Sequence, residues 1–124
     1  MQKAAARILF VDDHEDIRFM IKTWLGMFNY EVTTAEGMVG GLQLAQSETF
    51  DLYIFDSNLP DGTAQELCEK VHEFNCTTPI IFYSGDTPER LRRAMVYGAQ
   101  DWVMKPDLDG LRKAIFRALN VMPA

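Results

Sequence analysis

The stretch DLYIFDSNLPDG, residues 51–62, holds four consecutive apolar residues, Leu52 to Phe55, stopped at once by Asp56. A strand with one wet face alternates apolar and polar side chains. A run without alternation is what a strand covered on both faces needs. Two runs of the same kind flank it in the chain, ILFV at Ile8–Val11 and IIFY at Ile80–Tyr83. With the weaker segments Tyr30–Thr34 and Trp102–Met104, and Arg7 opening the first run, five short strands are expected.

Helical patterns fill the gaps. Ile17, Ile21, Trp24 and Phe28 recur at helical spacing after the first strand, and Leu67, Val71 and Phe74 do so after the third. The third helix opens with Thr63-Ala-Gln-Glu66, a capping box. The fourth opens with Thr87-Pro88, an N-cap followed by proline at the first helical position. Leu108, Leu111, Ile115 and Leu119 mark the fifth. The second, starting near Gly37, contains Gly40-Gly41, each costing about 1 kcal/mol against alanine, so a short or mobile helix is expected there. Five strands alternating with five helices give an α/β fold with a doubly wound parallel sheet.

The 124 residues, 48% hydrophobic, make one domain with enough apolar matter for a core. The net charge of −6 is uneven: residues 1–89 carry 5 Lys and Arg against 15 Asp and Glu, whereas residues 90–124 carry 7 against 3. An acidic chain is a poor nucleic-acid binder, because phosphate affinity needs concentrated cations. Cys68 and Cys76 lack the company of a zinc site and read as reduced, buried or half-buried thiols. The apolar run after Lys3 and Arg7 is too short for a secretory signal, and no segment has the length of a membrane span. A soluble, cytoplasmic protein is expected.

In an open α/β sheet ligands bind beyond the carboxyl ends of the strands. The residues there are Asp12-Asp13, Asp56, Ser84-Gly85-Asp86 and Lys105-Pro106. Three clustered carboxylates repel one another unless a cation joins them, and oxygen donors suit Mg²⁺. A carboxylate can also attack phosphorus to give an aspartyl phosphate, with Lys105 and Ser84 offering charge and a hydrogen bond to the transferring group.

These residues resemble a known family. ILFVDDHEDIR, DLYIFDSNLPDG, IIFYSG and GAQDWVMKP, in order and at matching separations, resemble the response-regulator receiver domain, the phosphoacceptor of two-component signalling. The likeness runs from Arg7 to about Val121 and implies a flavodoxin-like (βα)5 domain with strand order 2-1-3-4-5, the order known for a chemotaxis receiver. It implies that Asp56 accepts a phosphoryl group from a histidine kinase or phosphotransfer protein. It implies Mg²⁺ held by Asp13, by Asp12 through water, by Asp56 and by the backbone carbonyl of Asn58. It further implies that Ser84 and Lys105 contact the phosphoryl oxygens, that the Lys105–Pro106 bond is cis, and that small Gly85 leaves the acceptor open. Asn58 and Asp86 then stand where the family tunes hydrolysis, and Trp102, three residues before Lys105, where the switch aromatic stands, usually Tyr or Phe. Asn29 replaces a common glycine before the second strand, a position asparagine tolerates.

Arg90, Arg93, Arg112, Lys113 and Arg117 fall on the fourth and fifth helices. They are a solvated surface or, as in the family, part of a face with the fifth strand that meets partners or a second receiver, which makes a homodimer one expected form. His14 and His72 lack partners at ligand spacing and read as surface or helix-start residues. The leading function is a phosphorylation switch without its own output domain: a stand-alone regulator, a relay intermediate, or a receiver cut from a hybrid kinase or longer regulator. A haloacid-dehalogenase-type phosphatase would need an acid–base aspartate where Asn58 stands, its nucleophile after the first strand, and a cap domain. A flavin module would need a Ser/Thr/Gly-rich loop where Asp12-Asp13-His14 stands. A receiver-like module that is never phosphorylated would not need the full set of acceptor, acids, hydroxyl and lysine.

Overall fold

The computed structural model describes residues 5–120. Its elements run β1 (Arg7–Val11), α1 (Glu15–Gly26), β2 (Glu31–Ala35), α2 (Met38–Ser47), β3 (Leu52–Phe55), β4 (Asn58–Leu59), β5 (Gly62–Thr63), α3 (Ala64–His72), β6 (Ile80–Ser84), α4 (Pro88–Ala94), a 3-10 turn (Met95–Tyr97), β7 (Asp101–Met104) and α5 (Leu108–Leu119). Val121, where the family likeness ends, lies outside the described residues.

Five strands form one parallel sheet in the order β2-β1-β3-β6-β7. Counting the long strands alone, this is 2-1-3-4-5, as expected. The remaining two, β4 and β5, pair antiparallel across Pro60-Asp61, Asn58 opposite Thr63 and Leu59 opposite Gly62. Pro60 at the second turn position and Gly62 at the fourth are the turn chemistry for such a hairpin, which the sequence reading missed.

The unbroken apolar runs are explained by two cores. Leu9, Val11, Phe55 and Phe82 face one, closed by Leu67 and Val71 of α3; Ile8, Phe10, Ile54 and Ile81 face the other, closed by Ile21 and Leu25 of α1 and Ile115 of α5. Successive side chains of a strand point to opposite faces, so a strand between two helical layers has no polar position left.

The helix ends carry the main differences from the expected pattern. Helix α1 stops at Gly26 and α3 at His72, so Phe28 and Phe74 lie beyond them and are exposed. After α1 the Phe28 and Tyr30 N–H groups both return to the Leu25 carbonyl, with Asn29 at φ 66°. Leu25, not Phe28, fills the core. Thr63 and Thr87 cap α3 and α4 as expected, accepting the N–H of Glu66 at 3.1 Å and of Arg90 at 3.3 Å.

Helix α2 is a full ten residues, not the short element its glycines suggested. A Cβ on Gly41 would stand 2.9 Å from Val11 Cγ2, so the helix lies too close to β1 for any side chain there. Its N-cap, Gly37, has no side chain to cap with; Asp61 does so from the hairpin turn, accepting the N–H of Met38 at 2.6 Å and of Val39 at 2.9 Å. Cys68 is buried, but Cys76 is exposed, not half-buried. Burial pushes the Cys68 thiol up to about 11.

Candidate functional site

Register assembles the site. Val11 pairs with Phe55, so the next residues, Asp12 and Asp56, emerge side by side at the carboxyl edge. Ser84 pairs with Met104, which puts Ser84 beside Lys105 at the same edge. The Asp56 N–H donates to the Val11 carbonyl at 2.9 Å and the Lys105 N–H to the Ser84 carbonyl at 2.8 Å, so the backbone that carries these side chains is held on both sides. The Lys105–Pro106 peptide is cis.

Asp12 is fully buried, Asp56 is 5% exposed and Ser84 is buried, while Asp13 stands at the rim. Lys105 Nζ lies 2.6 Å from Asp12 Oδ2 and 3.6 Å from Asp56 Oδ1. One ammonium thus serves two buried carboxylates. Burial pushes the Asp56 carboxyl above its ordinary range; Lys105 pulls it back in part, and Asp12 adds to the rise. A buried carboxylate short of counter-charge gains from any cation that joins it.

Four residues, Asp12, Asp13, His14 and Asp56, bring ligand atoms within 4.8 Å of one another. Opposite corners of a Mg²⁺ octahedron are about 4.2 Å apart, so the carboxylates fit that ion after a small closing movement. Asp12 and Asp13 would hold it. His14 is an exposed residue at the start of α1, as expected, but it does not lack partners: its Nδ1 is 2.9 Å from Asp12 Oδ1 and 3.1 Å from Asp13 Oδ1. The hydrogen bond to Asp12 and the charge of Asp13 raise the His14 pKa. Spacing hid this, because adjacent residues at a strand-to-helix turn converge only once the turn is known.

Ser84 is engaged within the protein. Its hydroxyl hydrogen-bonds that of Ser57 and accepts the Asp86 N–H at 3.2 Å. Ser57, directly after the acceptor, was not singled out in the sequence; its N–H donates to Asp56 Oδ1 at 3.0 Å. Asn58 is exposed at the start of the hairpin and Asp86 half-buried after β6, flanking the acceptor from two loops. A Cβ on Gly85 would meet nothing within 4 Å, so the mouth is open there beyond what glycine itself provides. Trp102 pairs in register with Phe82 and packs half-buried against the α3-side core.

The model of the response regulator receiver domain family matches residues 8–116. The chain belongs to the response-regulator receiver family. Among curated relatives of this receiver, the nisin biosynthesis regulatory protein NisR of Lactococcus lactis is 35% identical over 101 residues, 81% of this chain and 44% of that protein. The response regulator ArlR of Staphylococcus saprophyticus is 33% identical over 120 residues, 94% of this chain and 54% of that protein. The chain thus spans about half the length of these relatives. Among solved structures, chemotaxis protein CheY4 of Vibrio cholerae superposes with a TM-score of 0.86 at 35% identity, covering 94% of this chain and 100% of that one. TrrA of Thermotoga maritima, a response regulator solved in complex with Mg²⁺-BeF, superposes at 0.85 with 28% identity, covering 92% and 99%. The strand order and the acidic cluster of this receiver agree with that membership.

The basic residues of the receiver's last two helices are mostly engaged within the chain. Arg90 lies 3.7 Å from Asp86, Lys113 3.1 Å from Asp109 and Arg117 2.7 Å from Asp101. Arg112 stacks over Phe28, 4.4 Å from the ring centre, turned toward the end of α1. Arg93 has no such partner among the described residues and lines, with Arg90, Asp86 and Tyr97, a cavity of about 330 Å³ next to Ser57 and Asn58. No helix among the described residues is long and apolar enough to cross a membrane.

Proposed function

We propose that this domain, taken as a single receiver over residues 1–124, accepts a phosphoryl group on Asp56 from the phosphohistidine of a histidine kinase or phosphotransfer protein. The observation that carries this reading is a buried, destabilised Asp56 carboxylate held 3.6 Å from Lys105 Nζ at the carboxyl edge of the sheet. An Asp56 oxygen attacks phosphorus as the phosphorus–nitrogen bond to the donor imidazole breaks, and the electron pair leaves with that nitrogen. Asp12, Asp13, Asp56 and the Asn58 carbonyl would hold Mg²⁺, which would neutralise charge on the phosphoryl oxygens. Lys105 gives its ammonium to the same oxygens, which frees it from Asp12. Ser84 leaves Ser57 to donate a hydrogen bond, and Trp102 moves inward behind it.

That movement changes the surface of α4, β7 and α5, where Arg93, Met104, Lys113 and Phe116 are exposed, as is Val96 on the 3-10 turn after α4. A downstream protein or a second receiver reads that surface. A nucleic acid does not bind this acidic domain directly, and the protein works in the cytoplasm. Water later cleaves the aspartyl phosphate without an external enzyme, at a rate tuned by Asn58 and Asp86. The phosphatase reading is not favoured: Asp56 follows the central strand β3, and Asn58 offers no acid–base carboxyl.

Incubation with MgCl2 and acetyl phosphate, followed by intact-mass measurement, tests the proposal. One added phosphoryl group is expected in the wild type and none in Asp56→Asn. Absence of an adduct with every phosphodonor leaves a binding module that is never phosphorylated.

A further inference from the structure

Phosphoryl transfer assigns no task to the Ser57 side chain, yet its hydroxyl is bonded to that of Ser84. We infer that Ser57 is a positioning residue that latches Ser84 in its unphosphorylated arrangement, so that Ser84 must give up this hydrogen bond before it can serve a phosphoryl group. The inference deepens the reading of Asp56 as the phosphoacceptor and rests on it.

Ser84 is 1% exposed and its hydroxyl is engaged twice, by Ser57 Oγ and by the Asp86 N–H, which it accepts at 3.2 Å. A hydroxyl has one proton and two lone pairs, so these two bonds use most of what Ser84 offers. The Asp56 carboxylate is not among its partners: Asp56 Oδ1 takes the Ser57 N–H at 3.0 Å and faces Lys105 Nζ at 3.6 Å. Ser84 therefore has to turn to serve the acceptor. Its backbone stays in place at the end of β6, where its carbonyl accepts the Lys105 N–H at 2.8 Å. The movement is a change of rotamer, which carries the oxygen away from Ser57.

Ser57 is not free to follow. Its N–H is held on Asp56 Oδ1, and its carbonyl accepts the N–H of Ala64, the first residue of α3, at 3.2 Å. The bond between the two hydroxyls breaks when Ser84 turns; it does not travel with it. Only the unphosphorylated state of this receiver keeps that bond, so its loss is part of the cost of switching. Removing the Ser57 hydroxyl takes a stabilising contact from one state alone. Anything bound only by the switched state then binds more tightly, in proportion to the shift.

Beryllofluoride, a phosphoryl mimic that caps a carboxylate oxygen, serves as the probe. It is titrated calorimetrically into the 124-residue chain in saturating MgCl2. Ser57→Ala should bind it about fivefold more tightly than wild type, the change expected of one neutral hydrogen bond. Ser57→Thr, which keeps the hydroxyl, should stay close to wild type. In a Ser84→Ala background the latch has nothing to hold, and Ser57→Ala should leave the affinity unchanged. A merely structural role for Ser57 would not depend on Ser84 in this way. An unchanged or weaker affinity in Ser57→Ala overturns the latch, as does an equal gain in Ser57→Thr or in the Ser84→Ala background. Failure of the underlying reading looks different: beryllofluoride then binds neither wild type nor Ser57→Ala, or binds Asp56→Asn equally well.

Discussion

Replacing the two adjacent glycines of α2 one at a time pits helix propensity against packing, and the two substitutions should have opposite signs. In a helix interior, alanine is favoured over glycine by roughly 0.5–1 kcal/mol. At Gly40 nothing opposes that gain: the nearest atom to an added Cβ is the Ala35 methyl at 3.7 Å, an ordinary contact. At Gly41 the same Cβ lands 2.9 Å from Val11 Cγ2 and 3.4 Å from its Cγ1. Val11 is fully buried and β-branched, with little torsional freedom, so it cannot swing aside. Overpacking of this kind costs about 1–3 kcal/mol. Against the propensity gain, a net loss of about 1 kcal/mol or more is expected for Gly41→Ala, and a gain of up to about 1 kcal/mol for Gly40→Ala. Urea unfolding followed by tryptophan fluorescence measures both as shifts of midpoint at constant slope. A Val11→Ala background removes the clash, and there Gly41→Ala should become stabilising. A Gly41→Ala midpoint at or above wild type refutes the steric argument, as does an unchanged effect in the Val11→Ala background.

The charged groups give three further expectations. Burial raises the Asp56 carboxyl, so its ionised form burdens the fold at neutral pH; Asp56→Asn should raise the urea midpoint at pH 7, and the advantage should shrink as pH falls through the raised value, where folded wild-type Asp56 takes up its proton, and be gone below the ordinary carboxylate range. Asp61 is held below its usual range by the N–H groups of Val39 and Met38; its capping contribution, about 1 kcal/mol as for other N-caps, is complete above the ordinary carboxylate value and lost as pH drops through its lowered one. Midpoints of Asp61→Ala and wild type should therefore differ at pH 7 and converge in acid. Lys105→Met strips the cation 2.6 Å from fully buried Asp12, which should cost about 3 kcal/mol, with part of the loss recovered by millimolar MgCl2 in the same unfolding assay.

Much of the fold was legible because its signals are local. Continuous apolar runs announce strands between two layers, and the Thr63 and Thr87 caps act within one turn of themselves. The misreadings share one physical origin. Phe28 and Phe74 continue a helical spacing, but a spacing does not say where the backbone turns away. Gly40-Gly41 looks like a weak point of a helix until β1 is placed against it. Asp61 looks like a turn residue, yet it caps a helix that begins 23 residues earlier in the chain.

The candidate site divides the same way. Asp12, Asp13, Asp56, Ser84 and Lys105 follow strand ends, and the rule for open parallel sheets is enough to bring them to one edge. The set of chemical groups and their common edge can be read along the chain. How those groups share their hydrogen bonds depends on packing: Lys105 on Asp12 and Asp56, Ser84 on Ser57, and His14 on the two acids before it. Residue type and strand order are written along the chain. The direction of a side chain at a turn, and the distance of closest approach between a helix and a strand, exist only after the layers have packed.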